Sequence, residues 1–95
     1  MDFRVEISGL DALQKRLAET ASGIEALSGD IAHLEFNPHD DTAVAAAIQQ
    51  MERAIDERAA PYRTNRDVMQ MAANLKQSYT ARIGEMVRSA REESG

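Results

Sequence analysis

The sequence predicts one mainly α-helical domain over residues 1–95, in which a short N-terminal β-strand precedes three helices packed as an elongated bundle or hairpin. Alanine is abundant, whereas only two phenylalanines and two tyrosines supply aromatic bulk. Apolar residues recur at helical spacings of three and four along most of the chain. The two prolines, Pro38 and Pro61, fall between these periodic stretches, where a helix has to stop. A chain this short buries only about two-thirds of its surface, so we expect it to gain stability from partners.

The first element is a predicted strand over residues 2–8. Phe3, Val5 and Ile7 alternate with polar residues, which is the period of a half-buried strand. A lone strand leaves its backbone donors and acceptors unpaired, and no second strand is evident in the sequence. We therefore expect it to pair with the same strand of another copy or with the sheet edge of a partner. The alternative is an unpaired extended arm that packs on the helices.

The second element is a predicted helix over about residues 10–35, with a heptad seam of apolar residues. The seam consists of Leu10, Leu13, Leu17, Thr20, Ile24, Leu27, Ile31 and Leu34. Two pairs, Ser22-Gly23 and Ser28-Gly29, interrupt it with poor helix formers, and each glycine costs about 1 kcal/mol. Because burial of each seam leucine or isoleucine is worth about 1.5–3 kcal/mol, we predict one continuous helix. The alternative is a real break at each pair. Small residues beside the seam also favour the close approach of another helix.

Two further helices are predicted over about residues 41–60 and 65–92. Asp40 or Asp41 is placed to cap the first of them, and Pro61 ends it. Both helices carry a narrow apolar stripe opposite a charged face, which is typical of helices that pack on one side. Short turns between the three helices predict an up-down-up bundle or a long hairpin with a shorter third member.

No catalytic motif is present, and we predict that the protein is not an enzyme. One group of potential metal ligands surrounds the first proline; it comprises His33, Glu35, His39, Asp40 and Asp41. Its spacing matches no zinc or calcium pattern, and helix capping explains the same residues. The absence of cysteine excludes disulfides and thiolate sites. We therefore predict no metal and no cofactor.

The net charge of −5 is unevenly distributed. Residues 1–41 contain nine acids and three bases, a net charge of −6, whereas residues 42–95 carry +1. The acidic half argues against nucleic acid as a partner. No apolar run is long enough to cross a membrane and no signal peptide begins the chain, so we expect a cytoplasmic protein or one in a particle assembled there.

A group of arginines with one tyrosine surrounds the turn between the last two predicted helices: Arg53, Arg58, Tyr62, Arg63 and Arg66. Acidic neighbours such as Asp67 weaken the case for phosphate binding, so we predict contact with a protein surface. The alternative is a set of solvated arginines that make weak surface ion pairs.

The stretch VEISGLDALQKRLAE, residues 5–19, resembles the start of small tail-component and tail-completion proteins of long-tailed phages and prophages. In that family a short strand, a Gly-Leu-Asp turn and a leucine-spaced helix follow one another. The later stretch AAAIQQMERAIDERAAPYRTNRDVMQM looks like small helical proteins of prophage gene clusters. The family continues with a basic helix and a Pro-Val-Asp-Thr-Gly segment that this sequence lacks, so its β-rich body is not carried over. The resemblance implies a virion-associated or assembly protein.

We therefore expect a non-enzymatic structural or assembly protein of a phage or prophage particle, acting by helix packing and strand addition on itself or on other virion proteins. The predicted contact residues are Phe3, Val5, Ile7, Leu13, Leu17, Ile24, Leu27, Ile31, Leu34, Arg58, Tyr62, Arg63 and Arg66. The alternative is a small helical antitoxin, immunity protein or inhibitor whose acidic first half covers a basic partner.

Overall fold

A computed structural model describes residues 3–29, 31 and 34–94, with the backbone alone for residues 3–9 and 94. Within these residues the chain forms α1 (Phe3–Ala26), α2 (Asp41–Ala59), a short 3-10 helix (Ala60–Tyr62) and α3 (Arg66–Ser94). The described part of the chain contains no β-strand. The mainly helical architecture predicted from the sequence is confirmed, and the bounds of α2 and α3 agree with the predicted ones to within two residues.

The core lies between α2 and α3, which form an antiparallel hairpin. The ion pairs Asp56–Lys76 and Asp41–Arg91 join the two helices near the turn and at the open end, in keeping with an antiparallel register. The buried apolar side chains of the hairpin are Ala47, Met51, Ile55, Ala59, Val68, Ala72 and Ile83. Alanine occupies three of these positions, and its small side chain allows the two helices to pack closely.

The segment between α1 and α2 covers this hairpin lengthwise. Leu27 and Ile31 are buried in its core, and Leu34 and Phe36 pack against it. At the open end of the hairpin, Arg91 donates from Nε to the carbonyl oxygen of Pro38 at 3.0 Å. The segment therefore contributes to the core alongside α2 and α3, and its described residues are not helical.

The helix α2 begins where an aspartate caps it. The Asp40 side chain accepts hydrogen bonds from the backbone N–H groups of Thr42, at 2.9 Å, and Ala43, at 3.3 Å. Asp41 in the first turn adds a negative charge at the positive end of the helix. The predicted helix start is thus confirmed, with Asp40 as the cap.

The predicted strand over residues 2–8 is wrong for residues 3–8, which form the first turns of α1; residue 2 lies outside the described residues. The physical reason is hydrogen bonding. A helix satisfies its backbone groups within the segment, whereas a lone strand needs a partner strand. The sequence also holds a helical spacing, because Phe3, Ile7 and Leu10 stand at positions i, i+4 and i+7.

The predicted continuous helix over residues 10–35 is also wrong, because α1 ends at Ala26. Gly29 adopts a φ of +76°, a left-handed conformation that ends helices and that glycine accepts without strain. Ser28 donates from its hydroxyl to the Ile24 carbonyl oxygen at 2.6 Å, and Arg58 donates to that of Ala26 at 3.2 Å. The bond from Arg58 satisfies a carbonyl group at the helix end, whereas the Ile24 carbonyl oxygen also accepts from the N–H of Leu27 at 3.2 Å. The Ser22-Gly23 pair, in contrast, lies inside the helix.

The N-terminal part of α1 extends beyond the turn of the hairpin. The molecule measures 74 × 19 × 17 Å, whereas the 29 residues of α3 span only about 43 Å. The radius of gyration is 19.1 Å, compared with about 12 Å for a compact domain of this length. The protein is therefore elongated, and its length comes from α1.

Candidate protein-interaction surface

The most prominent exposed feature is an apolar stripe on α1, which we call the α1 stripe and define as Leu10, Leu13, Leu17 and Ile24. These side chains are 59%, 52%, 60% and 45% exposed, respectively. At about 100° per residue the four lie within an arc of about 60°, and they span about 21 Å along the helix axis. Four large aliphatic side chains on one helix face, all about half exposed, are unusual for a soluble monomer.

A different face of α1 contacts the hairpin. Arg16 forms an ion pair with Asp67 at 3.8 Å, and the Asn65 amide donates from Nδ2 to Thr20 Oγ1 at 2.9 Å. The centre of this face lies about 80° around the helix from the α1 stripe. The hairpin therefore holds α1 by its last turns and leaves the stripe open to solvent.

The attachment of α1 depends on a helix N-terminus as well. Asn65 is buried, and its side-chain oxygen accepts from the N–H of Val68 at 3.1 Å, so that Asn65 caps α3. The Asn65 side chain thus caps α3 through its oxygen and binds α1 through its nitrogen.

The predicted seam divides into two parts with different roles. Leu27 and Ile31 are buried in the core of the same chain, and Leu34 packs against it. Leu13, Leu17 and Ile24 are exposed and remain available for a partner. For Phe3, Val5 and Ile7 the structure gives the helical backbone alone, so their predicted contacts lie outside the described side chains.

The predicted arginine patch is likewise divided. Arg58 is half-buried and donates to the end of α1, and Tyr62 packs against the core. Arg63 and Arg66 are exposed beside the turn. Sequence reasoning missed the role of Arg58 in holding a helix end, because that role depends on a contact across 32 residues.

Two clefts lie on the surface, one at the contact of α1 with α3 and one near the open end of the hairpin. An open polar cleft of about 500 Å³ lies where α1 meets α3, lined by Arg16, Glu19, Thr64, Asn65 and Arg66. An apolar cleft of about 370 Å³ lies at the opposite end of the hairpin, where Met86 is exposed beside Leu34 and Phe36. Within the described residues, every buried side-chain nitrogen or oxygen has a hydrogen-bond partner. The described residues of the polar cleft therefore include no buried side-chain nitrogen or oxygen that lacks a hydrogen-bond partner.

The potential metal ligands around Pro38 are not brought together in the part of the chain that the structure describes. No three His, Asp or Glu side chains come together there in a way that could hold a metal ion. Asp40 is engaged as the cap of α2, and Asp41 pairs with Arg91. His33 lies outside the described residues.

The borders of the α1 stripe carry little charge. Ala21 and Gln14 lie on one side of it, and Thr20 lies on the other. The charged side chains Lys15 and Glu19 point away from the stripe at helical spacing. A helix that packs on the stripe consequently meets small or neutral side chains at both edges, with Arg16 and Glu25 as the next residues outward.

Among the described residues, none of the helices combines the length and the apolar composition that a membrane crossing requires.

Comparison with known proteins identifies a family and a relative of this chain. A family model described as YuaX matches residues 7–94. The uncharacterized protein YuaX of Escherichia coli (strain K12) is 35% identical over 91 residues, which cover 96% of this chain and 94% of that protein. No solved structure matches the chain.

Proposed function

The chain belongs to the YuaX family, and we propose that it is a non-enzymatic assembly protein that binds a helix of another protein chain through the α1 stripe. The observation that carries the proposal is the half-exposed state of Leu10, Leu13, Leu17 and Ile24 on a helix that projects from its own hairpin. Burying such side chains removes apolar surface from water, which is the main driving force of association.

The hairpin serves as a holder for α1 in this proposal. Gly23, Thr20 and Arg16 hold the C-terminal turns of α1 on α3, so the direction of these turns is set before a partner binds. This preorganisation lowers the entropy cost of binding for the last turns, while the exposed turns before them gain their packing from the partner. The mode of recognition corresponds to an amphipathic helix that packs its apolar face against another helix.

The cellular setting that we propose is a phage or prophage particle. Its support is the resemblance of residues 5–19 to the start of small tail-component proteins, together with the elongated, mainly helical shape. Addition of a strand by the N-terminus is not part of the proposal, because residues 3–8 are helical.

The proposed function is tested by following native complexes in the host. An epitope-tagged chain, expressed from its own locus, is expected to elute in a complex larger than its 10.5 kDa mass. The double variant Leu13→Asp/Leu17→Asp should lose this complex, because two carboxylates would be buried without partners. Complexes that survive in the variant would contradict the proposed role of the α1 stripe.

The matched control is Ala18→Asp/Ser22→Asp, which adds the same charge at the same four-residue spacing on exposed positions outside the stripe. It is expected to keep the complex. The phage setting is tested separately, by asking whether the tagged chain sediments with particles after prophage induction. Its absence from the particles would remove the phage setting and leave the helix-binding role standing.

A second candidate function is a small antitoxin, immunity protein or inhibitor. The net charge of −6 over residues 1–41 favours it, since an acidic segment complements a basic target. Gene neighbourhood separates the two: portal, tail or capsid genes support the assembly protein, whereas a single adjacent toxin or nuclease gene supports the inhibitor.

A further inference from the structure

The surface area of the chain points to a specific partner, and we propose that two copies of this chain pair α1 against α1 through the α1 stripe. This inference rests on the proposed function, because it names the helix that the stripe binds. The paired object would be a homodimer with a hairpin at the C-terminal end of each α1.

The first support is the amount of surface that a single copy exposes. Its accessible area is 7083 Å², whereas a compact monomer of 10.5 kDa exposes about 5,400 Å². The excess of about 1,700 Å² is roughly twice the 800 Å² that each partner buries in an interface of standard size. One copy therefore exposes more surface than a compact monomer does, by more than an interface of standard size requires of each partner.

The second support is that the α1 stripe is compatible with its own copy. In a two-fold symmetric pair, both chains contribute the same stripe to the interface. Each contact between residue i of one copy and residue j of the other then occurs twice. Its border residues Gln14, Thr20 and Ala21 are uncharged. A second copy brings no like charges into contact at the edges, although the whole chain carries a net charge of −5.

The third support is that the hairpin does not block the stripe. The contacts of α1 with α3, through Arg16, Thr20 and Gly23, lie about 80° around the helix from the stripe. A second helix can therefore approach the stripe along its whole length without displacing α3.

The decisive experiment uses the purified full chain alone. Light scattering from low micromolar to millimolar concentration should show a mass that rises to twice 10.5 kDa. Leu13→Asp/Leu17→Asp should raise the dimer dissociation constant more than about 100-fold, and Ala18→Asp/Ser22→Asp should change it little. A wild-type chain that stays monomeric throughout overturns self-pairing but leaves binding to another protein intact, so the two proposals fail separately.

A second measurement leaves the stripe unchanged. The chain has no cysteine, so Ser22→Cys gives one exposed labelling position on α1 away from the stripe. Donor- and acceptor-labelled pools should develop energy transfer after mixing, and an excess of unlabelled chain should abolish it. A dimer without energy transfer between the α1 labels would place the interface elsewhere, for example at the Met86 cleft, and would overturn the proposal.

Discussion

Gly23 lies where α1 and α3 are in close contact. A Cβ atom added there would lie 2.4 Å from Cγ2 and 2.9 Å from Cγ1 of Val68. Val68 is fully buried and β-branched, so it has little freedom to move aside. The glycine is therefore required by the contact between the two helices and is tolerated by the helix that contains it.

The substitution Gly23→Ala should lower the free energy of unfolding by about 1 kcal/mol. Overpacking against Val68 costs about 1–3 kcal/mol, and the better helix propensity of alanine returns about 1 kcal/mol. Chemical denaturation measures the change. The control is Gly84→Ala in α3, where nothing lies within 4 Å of the added Cβ; it should stabilise the protein by about 0.5–1 kcal/mol. Equal effects at the two glycines would contradict the close contact.

Asn65 connects two helices through one buried side chain. Asn65→Ala should lower the free energy of unfolding by about 2–3 kcal/mol, because it removes the cap of α3 and the bond to Thr20 together. Thr20→Val should cost less, about 1–2 kcal/mol, because the cap remains while the amide loses its acceptor. A double-mutant cycle by urea denaturation should show coupling between the two residues. Strict additivity would show that the bond contributes nothing.

At the scale of elements, the turn that follows α1 contains Gly29 in a left-handed conformation. Gly29→Ala should lower the free energy of unfolding by about 1 kcal/mol, because a Cβ atom is strained at positive φ. Gly29→Asn should cost only a few tenths of a kcal/mol, since asparagine tolerates this region better. Thermal unfolding compares the two variants. If alanine were the better tolerated of the two, the left-handed helix end would be wrong.

The elements that the sequence predicted well are those whose signals are local. Asp40 and Pro61 bound α2, and the apolar spacing in α3 belongs to a helix packed along most of its length. The failures have non-local causes. Leu27 and Ile31 keep a heptad register, yet the chain leaves the helix there because the hairpin offers a core to cover.

The candidate site likewise has one property with a local sequence signal and one with a non-local cause. The α1 stripe is readable from leucine spacing alone, whereas its exposure depends on which face of α1 the hairpin occupies. That choice is made by Gly23 against Val68 and by Thr20 against Asn65, and no local pattern pairs residues so far apart. The sequence therefore identifies the apolar residues of α1 but does not show which of them are exposed to solvent.

At the scale of the whole molecule, helix content should depend on protein concentration. Every residue from Leu10 to Glu19 is exposed in the single chain, and an isolated helix of about 15 residues is marginal in water. Pairing of α1 supplies the packing that it lacks. The mean residue ellipticity at 222 nm should therefore become more negative as the dimer forms.

The variant Leu13→Asp/Leu17→Asp provides the comparison for this measurement. It should show lower helicity that does not change with concentration, while the control Ala18→Asp/Ser22→Asp should follow the wild type in its concentration dependence. Wild-type ellipticity that is constant across the monomer–dimer transition would contradict the coupling of α1 helicity to pairing.

A small rotation of α1 at the contact between Gly23 and Val68 produces a large displacement at its N-terminal end. Twenty residues separate Gly23 from the tip at Phe3, a distance of about 30 Å along the helix axis. A rotation of about 10° at the contact would move the tip by about 5 Å, as far as one helical turn. The size of the buried side chain at position 68 consequently influences the angle between α1 and α3. Substitutions at that position should change the direction of α1 and leave the residues of the α1 stripe unaltered.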